Sequence, residues 1–311
     1  MEGNESVYVA RALDFFTFRY EFMIYALGAS VMVGLVCGLV GTFLVLRGYS
    51  LVGDAIGHAT LPGLAIAFLV IGYQHPVGLL VGALGSALLA AFTVGVFSSG
   101  PRVRPDAAIG IVLSLYFGVG IVLMAYIQAN ATGAQAGLTQ FLFGNAAAIT
   151  KEEFFGLSIV GVLLAVLVLL FKRPLTLLVF DPLFARSIGI PVSRFEMGLL
   201  ALLSVTVVIS VQAVGAILVA AMLIIPPSTA RLLAPSIGGV MALAAFFGAL
   251  SGTLGAMLSY VFEGVATGPA MVLVATVFFL LALFFGPRKG ILKEFIALQR
   301  RRQTRKRGGV S

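Results

Sequence analysis

Long apolar segments recur along this chain from residue 22 to residue 286, separated by short polar, glycine-containing or proline-containing connections. A helix needs about 20 predominantly apolar residues to cross the hydrocarbon core of a bilayer. Nine segments meet or approach that length: 22–46, 54–72, 75–98, 107–128, 153–171, 196–213, 214–231, 236–261 and 268–286. Only 10% of the residues are charged, against about 25% in a soluble domain. The sequence therefore predicts an all-α, polytopic membrane protein.

Two of the nine segments are weaker than the others, so the predicted number of membrane-spanning helices is eight or nine. The segments 54–72 and 214–231 are short, and both contain proline and glycine. In a nine-span arrangement with a cytoplasmic C-terminus, seventeen of the 20 lysines and arginines lie inside, and Arg11, Arg19 and Lys151 lie outside. This segregation is typical of membrane proteins. An eight-span arrangement makes one weak segment re-entrant and moves the N-terminus inside.

The charged residues divide the chain into three predicted parts. Residues 1–21 mix charged and aromatic side chains, which favours an extracytoplasmic, interfacial segment rather than a cleaved signal peptide. Residues 22–286 form the transmembrane domain, with a cytoplasmic loop at 172–195. Residues 287–311 form a basic cytoplasmic tail. A basic tail beside a membrane sets orientation and contacts anionic lipid, so the net charge of +8 does not indicate nucleic-acid binding.

The sequence lacks the residues for several kinds of chemistry. Cys37 is the only cysteine, which excludes an internal disulfide and a thiolate cluster. His58 and His75 are the only histidines, and no zinc-protease motif is present. No phosphate-binding loop of the Walker type occurs, so the chain has no such ATP site. His75 precedes a proline in a predicted outer connection, and we expect it to be solvated.

Asp54 and His58 are the strongest functional candidates. They lie four residues apart at the start of the second apolar segment, so a helix would place both on one face. A carboxylate oxygen and an imidazole nitrogen together form part of a shell for a divalent transition metal. The alternative is a structural role in which Asp54 is the N-cap of the second span. Both roles remain open at this point.

The loop at 172–195 is the only long connection on the predicted inner side. Asp181 and Pro182 are placed to begin a short helix, and Gly189 is placed to end it. That helix would present apolar side chains as a docking surface for another protein: Leu183, Phe184, Ala185 and Ile188. The alternative is a helix that lies in the membrane interface without a partner. Elsewhere, small residues four apart predict close helix packing: Gly34 and Gly38, Gly78 and Gly82, Gly248 and Gly252.

Five sequence blocks resemble those of the bacterial ABC-type permeases that import zinc and manganese. They occur in the same order, and the likeness extends over residues 22–286. The blocks are FLVLRGYSLVGDAIGHATLPG at 43–63, DAAIGIVLSLYF at 106–117, QFLFGN at 140–145, DPLFARSIGIP at 181–191 and AVGAILVAAMLIIPPSTAR at 213–231. Two positions depart from the family pattern: Gly57 replaces a common serine, and Pro227 doubles a usually single proline.

The resemblance implies a type II ABC importer-like permease in the bacterial cytoplasmic membrane. Such a permease works as a homodimer with two cytoplasmic ABC ATPase subunits, and an extracytoplasmic metal-binding protein delivers the ion. The family's metal-contacting pair corresponds to Asp54 and His58. Its segment that couples to the ATPase corresponds to Asp181–Pro191. The chain itself would be a transport subunit rather than an enzyme and would bind no cofactor. Mn2+ or Zn2+ would be its substrate, with Fe2+ a further candidate, and ATP would bind to the partner.

Three other functions remain to be weighed. The chain could be a related permease for an iron chelate or cobalamin, which would not need a bare pair of Asp and His side chains. It could also be an ion-coupled carrier that works without ATP, or an intramembrane enzyme, although few acids and histidines are available for a catalytic site. Nitrogen and oxygen ligands do not discriminate among manganese, zinc and iron.

Overall fold

The computed structural model describes residues 21–73, 75–99, 103–130, 144, 149–262 and 264–286. Within these ranges the chain forms eleven α-helices and no strand. The helices are α1 (Glu21–Arg47), α2 (Ser50–Ile71), α3 (Pro76–Ser99), α4 (Pro105–Asn130), α5 (Lys151–Leu170), α6 (Lys172–Phe180), α7 (Pro182–Ser187), α8 (Val192–Val214), α9 (Ala216–Leu233), α10 (Ile237–Val261) and α11 (Thr267–Phe285). The predicted all-α class is confirmed.

Each of the nine apolar segments forms its own helix, and the other two helices, α6 and α7, occupy the predicted cytoplasmic loop. Eight of the described helices are long and apolar enough to cross a membrane, among them α2, which the sequence marks as weak. The remaining apolar helix is α9, whose apolar stretch Leu218–Leu233 is shorter. Only Gly215, with φ of +93°, separates it from α8. The N-terminal segment 1–20, residues 131–143 and 145–148 of the predicted outer connection between α4 and α5, and the basic tail 287–311 lie outside the described residues.

Helix α1 lies at the centre of the bundle. It packs against α5, α8, α9 and α10, and most of its length is buried. Helix α2 packs against α3, α4 and α9, and α9 in turn packs against α1. Helices α4 and α5 are more peripheral and keep broad apolar faces exposed, which suits contact with lipid or with another protein.

Close backbone contacts hold the central helices together. A Cβ atom added at Gly34 would lie 2.0 Å from the carbonyl oxygen of Gly248, and one at Gly63 would lie 2.1 Å from that of Gly82. Only glycine permits such approaches between α1 and α10 and between α2 and α3. The packing role predicted for Gly34, Gly82 and Gly248 is thus confirmed. At Gly78 the neighbours are instead the side chains of Ile71 and His75.

Contacts between helix ends agree with the order of crossings in the nine-span arrangement. Arg47, Leu178 and Glu196 all belong to predicted inner ends, and they are in contact. Gly144 belongs to a predicted outer connection, and it lies against the backbone of Val214, at the predicted outer end of α8. A re-entrant α2 would place Arg47 on the opposite side of the membrane from Leu178 and Glu196, whereas a re-entrant α9 would keep all of these ends together. His75 is exposed, as predicted, and its Nδ1 accepts a hydrogen bond from the Gly78 amide at 3.1 Å.

Candidate functional site

Asp54 lies inside helix α2 rather than at its end. The helix begins at Ser50, and the N-cap residue is Tyr49, whose side chain makes no capping hydrogen bond. At a rise of about 1.5 Å per residue, Asp54 is about 6 Å further along the helix axis than Ser50. The alternative prediction that Asp54 caps the second span is therefore wrong. The helix starts at Ser50, directly after the Gly48–Tyr49 connection, and Val52 is buried within its first turn.

Asp54 and His58 face each other across one helical turn. The Asp54 Oδ1 atom lies 3.5 Å from the His58 Nε2 atom. The Asp54 side chain is 37% exposed and the His58 side chain 18% exposed. Both side chains are thus partly exposed on the surface of the single chain, while the neighbouring residues Ala55, Ile56 and Ala59 are buried. The predicted arrangement of both side chains on one face of a helix is confirmed; their function is a separate question.

The imidazole of His58 has an unused nitrogen. Its Nδ1 atom is buried and has no hydrogen-bond partner among the described residues. The ring packs edge-on against Phe117 of α4, with the ring centroids 4.7 Å apart. A buried polar atom without a partner carries a free-energy cost of about 1–3 kcal/mol. Such an atom is unusual in a folded protein and indicates a partner, such as a water molecule or an ion, beside the imidazole.

The backbone carbonyl of His58 is a further polar group on α2 that the sequence analysis missed. Pro62 lies within α2, four residues after His58, and proline has no N–H group. The backbone carbonyl of His58 therefore lacks the helical hydrogen bond that a residue at this position normally receives. The signal was present in the sequence as the spacing of His58 and Pro62. Thr60 is close by but donates its hydroxyl hydrogen to the Gly57 carbonyl at 2.7 Å.

The absence of a side chain at Gly57 lets α9 approach α2. A Cβ atom at this position would lie 3.0 Å from the carbonyl oxygen of Ala216, the first residue of α9. A serine, which is common here in the family that the sequence resembles, would press on that carbonyl. The departure at Gly57 therefore changes helix spacing rather than removing a candidate ligand.

The pair alone cannot enclose a metal ion. Among the described residues, no group of three or more His, Cys, Asp and Glu side chains is close enough to hold one. One carboxylate oxygen and one imidazole nitrogen form only part of a coordination shell, which water or backbone oxygens would complete. An incomplete shell binds an ion reversibly, as a transport pathway requires.

The predicted short helix in the cytoplasmic loop is confirmed as α7. The Asp181 carboxylate accepts a hydrogen bond from the Phe184 amide at 2.8 Å, and Pro182 occupies the first turn. Both are standard features of a helix N-terminus. Gly189 has φ of +84°, a conformation that favours glycine and that ends the helical path.

One of the four predicted docking residues does not face outward. Leu183 is 75% exposed, and Phe184 and Ile188 are about half exposed, but Ala185 is completely buried. Ala185 faces inward because α7 is a short helix that packs on its Ala185 side, where the Ala185 carbonyl also accepts from the Ile190 amide at 2.9 Å. Phe180, the last residue of α6, is 62% exposed and extends the apolar surface. We call Phe180, Leu183, Phe184 and Ile188 the cytoplasmic apolar patch.

Comparison with known proteins identifies relatives along most of the chain. The ABC 3 transport family matches residues 19–286. The manganese transport system membrane protein MntC of Bacillus subtilis is 41% identical over 287 residues, which are 92% of this chain and 66% of that protein. The zinc transport system membrane protein TroC of Treponema pallidum is 40% identical over 275 residues, which are 88% of this chain and 91% of that protein.

A solved structure has the same fold. It is that of PsaBC from Streptococcus pneumoniae in complex with Fab, with a TM-score of 0.77 and 36% sequence identity. The match covers 92% of this chain and 99% of the compared chain. The helical architecture described above is therefore one that a related protein adopts.

Proposed function

Since this chain belongs to the ABC 3 transport family, we propose that it is the membrane permease subunit of an ABC importer for divalent transition-metal ions, Mn2+ or Zn2+. Its role is transport rather than catalysis, and ATP is hydrolysed by a separate partner subunit. It lies in the bacterial cytoplasmic membrane with a cytoplasmic C-terminus, in accordance with the charge distribution.

The observation that carries this proposal is the Asp54–His58 pair. It supplies one oxygen and one nitrogen on one face of a membrane-spanning helix, 3.5 Å apart. Ionisable groups in such helices are costly and are functional candidates by default. The backbone carbonyl of His58, which receives no helical amide from Pro62, adds a further oxygen on the same residue. The hydrated ion exchanges some of its waters for these atoms and then leaves again.

The substrate class is supported by the names of the relatives. The Bacillus subtilis protein belongs to a manganese transport system and the Treponema pallidum protein to a zinc transport system. Both are about 40% identical to this chain. A bulky iron chelate or cobalamin would not need direct contact with a carboxylate and an imidazole. A free divalent ion does.

The cytoplasmic apolar patch is the contact surface for the ATPase subunit. Its side chains lie next to Asp181, Pro182 and Gly189, which set where α7 begins and where the chain turns after it. Exposed apolar side chains on a helix outside the predicted bilayer favour a protein partner. Ala185 supports this helix from its buried side and does not itself contact the partner.

A second copy of this chain covers α4 in the assembled transporter. Gly110 and Gly118 lie on an exposed face of this helix, and a Cβ atom at either position would contact nothing within 4 Å. Leu115 and Val122 on the same helix are 56% and 68% exposed. Small residues beside large apolar ones suit close helix packing in lipid. Phe117 of α4 also contacts His58, so this homodimer would bring the site near the interface.

Uptake by the complete complex tests the proposed function. The permease, its ATPase and an extracytoplasmic metal-binding protein are reconstituted in proteoliposomes, and Mn2+ and Zn2+ uptake is measured with ATP inside. We expect ATP-dependent uptake that free Mn2+ or Zn2+ competes for and that iron chelates and cobalamin do not affect. Competition by a chelate but not by free ions would reject the proposal, as would uptake by the permease alone without ATP.

A further inference from the structure

Arg47, the last residue of α1, joins three helices. Its Nη1 atom donates a hydrogen bond to the Leu178 carbonyl of α6 at 2.6 Å, and its Nη2 atom pairs with the Glu196 carboxylate of α8. Its guanidinium carbon lies 5.6 Å from the centre of the Tyr49 ring. The Arg47 side chain is only 16% exposed. A planar guanidinium with a carboxylate on one side and a carbonyl on the other is held in one orientation.

The Leu178 carbonyl needs this partner because of Pro182. In a continuing helix the amide four residues later would donate to that carbonyl, but Pro182 has no N–H group. The preceding carbonyl, that of Leu177, does receive such a bond, from the Asp181 amide at 2.9 Å. Leu178 is almost completely buried. Without Arg47, the segment that carries α7 would leave a buried carbonyl unsatisfied, which is costly.

Arg47 is also close in sequence to helix α2, which carries Asp54 and His58. Only Gly48 and Tyr49 connect α1 to α2, and the Tyr49 amide donates back to the Leu44 carbonyl at 3.0 Å. A Cβ atom at Gly53 would lie 3.3 Å from a Leu223 side-chain atom and 3.7 Å from one of Leu44. The first turn of α2 thus contacts Leu44 in the last turn of α1 and, more closely, Leu223 of α9. A displacement of Arg47 would carry the start of α2, and with it Asp54.

We propose that Arg47 is a positioning residue that transmits displacement of the α6–α7 segment to α2 and to Asp54 and His58. Glu196 holds the guanidinium from α8, so that the bond to the Leu178 carbonyl keeps its direction. When the ATPase moves the cytoplasmic apolar patch, the start of α2 moves with it. This inference rests on the proposed function in taking the patch as the ATPase contact.

The number of metal ions moved per ATP hydrolysed tests this role in the reconstituted complex. Arg47→Gln removes both interactions, and Arg47→Lys keeps the charge but cannot bridge two partners in fixed directions. Arg194→Gln is the control, because Arg194 is exposed, lies two residues before Glu196 and carries the same charge. We expect the Arg47→Gln complex to hydrolyse ATP while moving roughly tenfold fewer ions per ATP, with Arg47→Lys intermediate and Arg194→Gln unchanged. A native ratio in Arg47→Gln would overturn the proposal.

A second measurement does not depend on the identity of the transported ion. The complex is trapped with ATP and vanadate, and amide hydrogen exchange is followed in α7 and in α2. In the native complex we expect trapping to change exchange in both helices, and in Arg47→Gln only in α7. An equal response of α2 in both proteins contradicts the proposal. If the native complex moves neither Mn2+ nor Zn2+ but α2 still responds through Arg47, then the substrate assignment fails and the role of Arg47 stands.

If the Arg47→Gln complex does not assemble, Glu196→Gln provides an alternative test of the same proposal. This variant removes the carboxylate that orients Arg47 and leaves the bond to the Leu178 carbonyl in place. We expect a smaller loss of ions moved per ATP, roughly threefold, with a weakened response of α2 to trapping. A native ratio together with a native α2 response would overturn the proposal.

Discussion

The Arg47 junction and the Asp54–His58 pair lie seven residues apart, yet they differ in how their polar groups are satisfied. At the junction the guanidinium, the Glu196 carboxylate and the Leu178 carbonyl are all paired. At the pair, the His58 Nδ1 atom has no partner among the described residues, and the His58 carbonyl has no amide from Pro62. A cluster whose polar groups are all hydrogen-bonded holds its side chains in fixed positions. A cluster with unpaired polar atoms has groups that a ligand can bind. We propose that the Arg47 junction is rigid and that the Asp54–His58 pair contacts the transported ion.

Removing the ligand atoms should have the largest effect on transport. We expect Asp54→Ala and His58→Ala each to reduce metal uptake by roughly a hundredfold, because each removes one of the two side-chain donors to the ion. Uptake in proteoliposomes measures the loss, and gel filtration of the complex checks assembly. His75→Ala is the control, since it removes the only other histidine, which is exposed at the start of α3. Native uptake in both pair variants would show that the underpaired site does not handle the ion.

The cytoplasmic apolar patch is tested next, because Arg47 transmits a displacement to α2 only if the ATPase subunit contacts this patch. We expect the double variant Leu183→Ser, Phe184→Ser to reduce uptake and ATPase association by roughly tenfold, since it removes two exposed apolar side chains from one contact. Co-purification of the ATPase subunit measures association. Val77→Ser, an exposed apolar residue at the start of α3, is the matched control. Full association of the double variant would place the ATPase contact elsewhere.

A substitution at the contact between α1 and α10 tests whether the helices around the Arg47 junction and the Asp54–His58 pair are tightly packed. Gly248→Leu would push a side chain into the Gly34 backbone, so we expect it to destabilise the fold by about 1–3 kcal/mol or more. Thermal unfolding in detergent measures this. Gly156→Leu on α5 is the control, because a Cβ atom there contacts nothing within 4 Å. An unchanged melting temperature in Gly248→Leu would mean that the two helices separate easily.

A smaller effect should follow from restoring the missing hydrogen bond beside the pair. Pro62→Ala supplies an amide to the His58 carbonyl, so we expect the apparent affinity for the metal to fall by roughly threefold while the helix becomes more stable. The concentration dependence of uptake measures the affinity, and thermal unfolding measures the stability. Pro76→Ala is a control, since Pro76 begins α3 and its missing amide leaves no carbonyl unsatisfied. A higher affinity in Pro62→Ala would show that this carbonyl takes no part.

Much of the fold follows from the sequence, because hydropathy determines which segments enter the bilayer. The nine apolar segments all form helices, and the N-terminus of α7 follows from Asp181 and Pro182. The spacing of Asp54 and His58 also predicted that they share one face. These are local properties, set by residues within one or two helical turns of each other.

The features that the sequence did not reveal depend on contacts between distant residues. The pairing of Arg47 with Glu196 joins positions 149 residues apart. The inward direction of Ala185 depends on the packing of α7 against the bundle, and the start of α2 before Asp54 depends on its packing against α1. The carbonyls of His58 and Leu178, neither of which receives a helical amide hydrogen, are different. Each follows from a proline four residues later, which is a rule that applies to any helix.

Pulsed electron paramagnetic resonance of bound Mn2+ reveals whether the imidazole of His58 contacts the transported ion. The complete complex is trapped with Mn2+, which is paramagnetic, and the nuclei that coordinate it are identified from their hyperfine couplings. We predict a coupling to one imidazole nitrogen in the native protein that disappears in His58→Ala and persists in His75→Ala. A nitrogen coupling that survives His58→Ala would show that another group supplies the nitrogen ligand. Bound Mn2+ with no nitrogen coupling in the native complex would show that His58 does not coordinate the ion.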